Sequence, residues 1–265
     1  MTRDPYLAFK MGQKASWGAF SPLEAVTTVP SATLVNFSRL AAHHTVLDVG
    51  CGTGVVAITA ARAGAKVFGL DLSPVLIERA KENKNIAKVE VELQEGDVEA
   101  LPYADHFFDV VLSQFGHMFA PRPTVAVREM LRVLKPGGTI AFSTWPPGLF
   151  VGRLFRLVEK YSPLPTGISS PSLWGDPTFV REQFGDKLEE LVFDQGFMQF
   201  PALSLGHYRN TIEPTLGPIV KLIHESKTDL TQLNHFRLEL EALAAQYYAE
   251  NHIHQHYLLS RGKKI

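Results

Sequence analysis

The chain has 265 residues and 45% hydrophobic content, enough for one large α/β domain or for a core domain with an elaborated cap. Its 26 Lys and Arg against 27 Asp and Glu leave a formal charge of −1, without the basic excess or long Lys/Arg run that a nucleic-acid substrate attracts. The lone cysteine, Cys51, excludes a disulfide framework within the chain, residues 1–14 lack an apolar signal core, and no stretch approaches the ~18 apolar residues of a membrane span, so the chain reads as cytoplasmic.

Residues 1–20 show little helical periodicity but carry Tyr6, Phe9, Trp17 and Phe20. Ser21-Pro22-Leu23-Glu24 has the spacing of a capping box with proline at the first helical position, and Pro30 is expected to interrupt the helix begun there. Leu34, Phe37 and Ala41 then mark a helix ending near Ala42. From Thr45 the pattern alternates between strand and helix. Strands are expected at 46–49, 66–71, 88–94, 108–113 and 139–144, with helices at 55–63, from Ser73 to about Asn83, and at 123–134. The run at 108–113 is nearly continuous in apolar residues, as in a strand buried on both faces. Strands separated by helices imply a parallel sheet.

After Trp145 the character changes. Residues 146–178 are rich in proline and aromatics, 188–203 read as β-structure with a turn at Asp194-Gln195-Gly196, 207–250 as mostly helical, and 252–260 as a last strand. The organisation expected is N-terminal lid helices over 1–42, a cofactor-binding core over 43–145, cap insertions over 146–251 with a strand near 188–203, and a final core strand over 252–265.

The most telling segment is 46–54, VLDVGCGTG. Apolar β-formers lead into three alternating glycines, which permit a sharp turn and close approach of backbone to a ligand. A helix comes next, making a nucleotide-cofactor cradle. Asp48 stands two positions before the first glycine, where a carboxylate suits the ammonium of S-adenosylmethionine and repels a pyrophosphate. Residues 52–57 also fit the G-x-G-x-x-A dinucleotide fingerprint, so an NAD(P)-dependent oxidoreductase is the alternative enzyme. Cys51 reads as a small side chain that fits the loop rather than as a nucleophile.

Further candidates stand at strand ends, where ligands bind in such sheets. Asp71 can accept both hydroxyls of a ribose. Asp97 can take an adenine amino group, between Leu72 and Val98 as the walls of an adenine slot. Ser113 and Gln114 end the fourth strand beside the methionine part.

In order and spacing these segments resemble the class I S-adenosylmethionine-dependent methyltransferases over roughly residues 41–145. The resemblance rests on VLDVGCGTG, GLDLS at 69–73, EGDVEALP at 95–102, FDVV at 108–111 and RVLKPGG at 132–138. The last three are especially similar to the ubiquinone/menaquinone-biosynthesis C-methyltransferase type. The resemblance implies a Rossmann-like, seven-stranded, mostly parallel sheet with helices on both faces, an antiparallel last strand and, here, a mostly helical cap. It also implies S-adenosyl-L-methionine as cofactor, with Asp48, Gly50, Cys51, Gly52 and Gly54 at the methionine end, Asp71 at the ribose, and Asp97 with Val98 at the adenine. FKMGQKASWGAF and SQFGHMFAP depart from the quinone-methylating pattern, which leaves the acceptor open.

For the acceptor, His117 past the fourth strand is the candidate base, with Phe115 shaping the slot. Trp17 and Phe20 are candidates for a lid, and His252 for a substrate contact at the start of an antiparallel last strand. His252, His254 and His256 share one face of that strand, but no Cys or acid completes a metal set and none is expected. The aromatics after Trp145 suit a small apolar or aromatic acceptor, and equally a homodimer interface. A methyltransferase fold serving only as a binding protein is opposed by the intact glycines and acids. RNA or protein methylation lacks its usual acceptor motif where this chain reads Ser113-Gln114-Phe115-Gly116.

Overall fold

The computed structural model describes residues 4–265. Two helices lead, α1 (Leu7–Trp17) and α2 (Glu24–Phe37), and then strand and helix alternate: β1 (Thr45–Val49), α3 (Val55–Arg62), β2 (Lys66–Asp71), α4 (Pro74–Ala87), β3 (Val91–Glu95), β4 (Phe108–Gln114), α5 (Pro123–Val133) and β5 (Leu134–Thr144). The second part comprises α6 (Phe150–Tyr161), α7 (Pro177–Phe184), β6 (Leu188–Pro201), α8 (Leu205–Ile212), α9 (Gly217–Glu225), α10 (Leu230–Ala245), β7 (Tyr248–Ala249) and β8 (His252–Lys264). Among the described residues no helix is long and apolar enough to cross a membrane.

The strands lie side by side in the order β3-β2-β1-β4-β5-β8-β6, with the short β7 also paired to β8. Neighbours from β3 through β5 are parallel, and β8 runs against both β5 and β6. This is the Rossmann-like sheet with an antiparallel last strand that the resemblance implies. The central strands are apolar on both faces because helices cover both: Val46, Leu47, Val49, Val110, Val111 and Leu112 are all essentially inaccessible. The ends of β1, β2 and β4 point the same way, so the loops after them share one edge of the sheet.

Several local expectations are corrected. α1 forms despite weak periodicity, because Trp17 packs on Phe20 and Phe119 and Lys10 is held by ion pairs. Ser21–Leu23 is a short 3₁₀ turn without a side-chain cap, since Glu24 reaches across to the Arg79 guanidinium and the Asn83 amide. Pro30 does not interrupt α2. A proline inside a helix costs about 3 kcal/mol, but here it lies on the buried face with Thr27, Ser31, Leu34 and Val35, where packing outweighs propensity. Lys88 takes a left-handed conformation that ends α4, so β3 begins only at Val91.

The turn expected at Asp194-Gln195-Gly196 is absent, and β6 is one continuous edge strand on β8. Gly196 lies opposite Tyr257, and a Cβ there would overlap the Tyr257 ring. That glycine makes room for an aromatic ring rather than for a change of direction.

Candidate active site

The loop after β1 is built by three left-handed glycines, Gly50, Gly52 and Gly54. Gly50 and Cys51 both donate their N–H to the Leu70 carbonyl, at 2.8 and 3.0 Å, which pins the loop to β2. Gly50 also presses on Gly116 in the loop after β4, where a Cβ on Gly50 would stand 2.8 Å from the Gly116 Cα. Neither backbone can retreat, so both positions demand glycine. Ser113 ties the same two loops: its hydroxyl donates to the Val49 carbonyl at 2.7 Å and accepts from the His117 N–H at 3.1 Å.

Beneath the loop, Asp48 is 1% exposed. Its Oδ2 accepts the Ala57 N–H at 3.0 Å, while its Oδ1 is buried without a partner. Burial, with the nearby Asp71 charge adding to it, pushes the Asp48 carboxyl up to about 8. Asp71, at the end of β2, accepts from the Gly52 N–H and the Ser73 N–H, both at 2.8 Å. Burial raises its carboxyl and these bonds oppose the rise. Burial and the two carboxylates lift the Cys51 thiol well above its ordinary range, which leaves it inert.

Asp97 joins an ion cluster that sequence reasoning missed. The Lys10 ammonium on α1 lies 2.7 Å from Asp97, 2.7 Å from Asp4 and 2.5 Å from Glu99. Burial works against the Lys10 charge, but these three carboxylates outweigh it and raise its affinity for the proton. Arg122 closes the far side on Glu99 at 2.6 Å. The cluster clamps α1 over the loop after β3. A carboxylate has about four acceptor positions, and Asp97 commits one oxygen to Lys10 and the other to the Glu99 N–H, so each keeps capacity.

Gln114, at the end of β4, donates from Nε2 to the Thr27 carbonyl at 2.8 Å, and its Oε1 is buried without a partner. Since a carbonyl can only accept, this contact fixes which end of the amide is which. Phe115 stacks on Trp145 at 3.9 Å between ring centroids and meets Tyr257 edge-on.

These groups line one cleft whose empty volume is about 1470 Å³, solvent at its mouth included. Asp48, Gly50, Cys51, Gly52, Asp71, Leu72, Asp97, Val98 and Gln114 line it, as do Trp17, Phe20, Phe115 and His117. Gly54 and Ser113 stand behind the lining as supports. The cleft continues over α6, β6 and α8, where Val151, Leu154, Phe155, Met198, Phe200, Tyr208 and Ile212 form its wall, with Gln255 from β8. The aromatics after Trp145 suggest an apolar acceptor pocket and an interface alike, and the sequence does not single out which residues form this wall.

Two expectations need correction. His117 lies at 1% exposure, its ring edge-on to Phe142 and Trp174 and both ring nitrogens buried without partners. Burial drives its pKa down to about 3. An imidazole so placed is neutral at ordinary pH and a weak base, packed between aromatic rings at the cleft wall. His252 does not reach the cleft. Residues 252–257 of β8 run past the end of β5, and His252 pairs with Pro201 and Ala249 at the outer tip, its Nδ1 on the Glu250 carbonyl.

The orphaned acceptors test the cofactor implied by the sequence. Asp48 Oδ1 and Gln114 Oε1 belong to adjacent strands, both can accept, and no protein donor reaches either. A buried acceptor without a donor costs roughly 1–3 kcal/mol. The ammonium of S-adenosylmethionine supplies donors for both, the free lone pairs of Asp71 suit a ribose diol, and Leu72 and Val98 offer apolar walls for a purine. The residues fit that group and oppose a pyrophosphate.

Comparison with known proteins agrees. Residues 47–142 match the family model described as a methyltransferase domain. An uncharacterised protein of Mycobacterium tuberculosis is 32% identical over 225 residues, covering 83% of this chain and 81% of that protein. Demethylmenaquinone methyltransferase of Deinococcus radiodurans is 38% identical over 121 residues, covering 44% of this chain and 50% of that enzyme. Geranyl diphosphate methyltransferase, solved in complex with S-adenosylmethionine, shares the fold at 15% identity and a TM-score of 0.54, covering 92% of this chain and 87% of that one.

Proposed function

From a chain that belongs to the class I S-adenosylmethionine-dependent methyltransferases, we propose an enzyme that methylates a small apolar or aromatic acceptor. The supporting observation is the single cleft with acids and glycines at one end and an apolar wall at the other. When bound, S-adenosylmethionine supplies an electrophilic sulfonium methyl suited to in-line displacement.

The protein's own residues divide the remaining work. Asp48 and Gln114 receive the ammonium through their free oxygens. Asp71 receives the ribose hydroxyls, and Asp97, Leu72 and Val98 frame the adenine. The Gly50–Gly116 contact sets how deep the ligand sits, because the two backbones leave no slack. Phe115, stacked on Trp145, presents a flat face on which an aromatic acceptor can lie. Trp17 and Phe20 on the N-terminal segment cover the cleft and exclude water. With the methyl already activated, positioning carries most of the catalysis. The acceptor–methyl bond forms as the sulfonium–methyl bond breaks, the acceptor's proton leaves to solvent, and His117, a weak base here, is not needed to take it.

Incubation with methyl-labelled S-adenosylmethionine and a panel of phenols, quinols, aryl amines, peptides and RNA, read by mass spectrometry of product and by S-adenosylhomocysteine release, tests this reading. Label transfer to an apolar ring compound is expected. Transfer confined to peptide or RNA would overturn the acceptor class.

A further inference from the structure

The cleft is charged at one end only. Among the described residues that line it, the charged side chains are Lys10, Asp48, Asp71 and Asp97, all at the end covered by the glycine loop, the β2 and β3 ends and α1. Over β8 and β6 no ionic group among those residues faces the space. The apolar wall there is broken by a pair of neutral polar groups, Tyr208 from α8 and Gln255 from β8. Tyr208 is 2% exposed, wedged against Phe150 and Phe200. Gln255 is 4% exposed and faces the Tyr208 hydroxyl. Burial raises the Tyr208 hydroxyl pKa, so it stays an O–H that both donates and accepts.

Strand spacing places this pair relative to the donor. In the sheet order β8 stands two places from β4, whose end carries Gln114. Two strand spacings are about 10 Å across the sheet, and Gln255 stands four residues, about 13 Å, along β8 beyond Leu259, which is level with Gln114 through Ser143. The two backbones are thus roughly 16 Å apart, and after both side chains reach inward the gap between them takes a ligand of about two fused rings. Met198 and Phe200, on β6 beside Gln255 and Ile253 of β8, make the floor between apolar. A ligand ion on that floor would lose its water and gain no counter-charge, whereas a neutral hydroxyl or carbonyl would find both a donor and an acceptor.

We propose that Tyr208 and Gln255 form the specificity end of the acceptor site, selecting an uncharged, ring-sized apolar molecule with a hydroxyl or carbonyl at the end remote from the methyl donor. This rests on the methyltransferase reading above and adds the charge state and the polar handle of the substrate.

The test uses the full chain at pH 7 and titrates it first with S-adenosylhomocysteine. Failure of that step strikes the methyltransferase reading itself. The protein saturated with S-adenosylhomocysteine is then titrated with 2-naphthol, 2-methylnaphthalene and 2-naphthoate. One neutral hydrogen bond predicts that 2-naphthol binds about tenfold tighter than 2-methylnaphthalene. An unpaired buried charge predicts that 2-naphthoate binds at least about a hundredfold more weakly than 2-naphthol. Tyr208→Phe removes only an oxygen, and together with Gln255→Leu it should bring 2-naphthol to the level of 2-methylnaphthalene while leaving S-adenosylhomocysteine binding in place. Equal affinity for 2-naphthol and 2-methylnaphthalene in the unaltered protein, tight binding of 2-naphthoate, or no binding of any probe overturns the proposal even if neither variant folds.

Discussion

Over β1, β2 and β3 the cleft is made of backbone and charge, with left-handed glycines, buried carboxylates and the Lys10 cluster. Over β5, β8 and β6 it is made of apolar side chains and two neutral polar tips. The first half is set by geometry that a single atom can break, and Asp48 at its base is held in conditions unfavourable to its charge until a cation arrives. The second half is set by volume, which many side chains can share. Such a division lets one fold keep its cofactor while changing its acceptor: strict demands sit on loops at the strand ends, tolerant ones on the added helices.

Gly50→Ala should set the two halves furthest apart. The left-handed backbone and the Gly116 contact together should destabilise the protein by about 3 kcal/mol or more, read by urea denaturation, whereas Ile212→Val in the other half should cost about 1 kcal/mol. Next is Asp71→Ala, expected to weaken S-adenosylhomocysteine binding by roughly 1–3 kcal/mol through loss of charged hydrogen bonds, with binding of 2-methylnaphthalene unmoved. Unchanged cofactor affinity in this variant contradicts the ribose assignment.

Asp48 gives a pH signature. Its folded-state pKa is raised to about 8 from the ordinary carboxyl value of 3.8, so its contribution to stability is present below that unfolded value and is lost as pH rises toward 8. Asp48→Asn should therefore raise the melting temperature of the ligand-free protein at pH 8, by an amount that shrinks toward pH 5, while weakening S-adenosylhomocysteine binding. In the unaltered protein the ammonium favours the carboxylate, so affinity should climb with pH and level off above about 8, with proton release on binding. The smallest effect is expected for His252→Ala, within about 0.5 kcal/mol in stability and without change in turnover.

The cofactor half is legible in the sequence because its signals are local. Val46-Leu47-Asp48-Val49 followed by alternating glycines states a strand, a turn and an acid within nine residues, and Asp71 and Asp97 each sit next to a recognisable strand end. The Lys10 cluster is not legible, because a lysine in a weakly periodic stretch gives no hint that it will meet Asp97 across 87 positions. The acceptor half is hidden for the same reason, since its wall is assembled from α6, β6, α8 and β8, none of which carries a motif. Gly196 misleads because a glycine after Asp-Gln reads as a turn until Tyr257 is seen above it. His117 misleads because position past β4 says where a residue starts, not that its ring turns inward among Phe142 and Trp174.

The cofactor assignment stands or falls on calorimetric titration of the purified chain with S-adenosylmethionine, S-adenosylhomocysteine and NADH. Binding of the first two with micromolar-range constants, tightening from pH 6 to pH 8, and no heat with NADH is the result expected from the unpartnered acceptors of Asp48 and Gln114. Binding of NADH alone, or of none of the three, would contradict it.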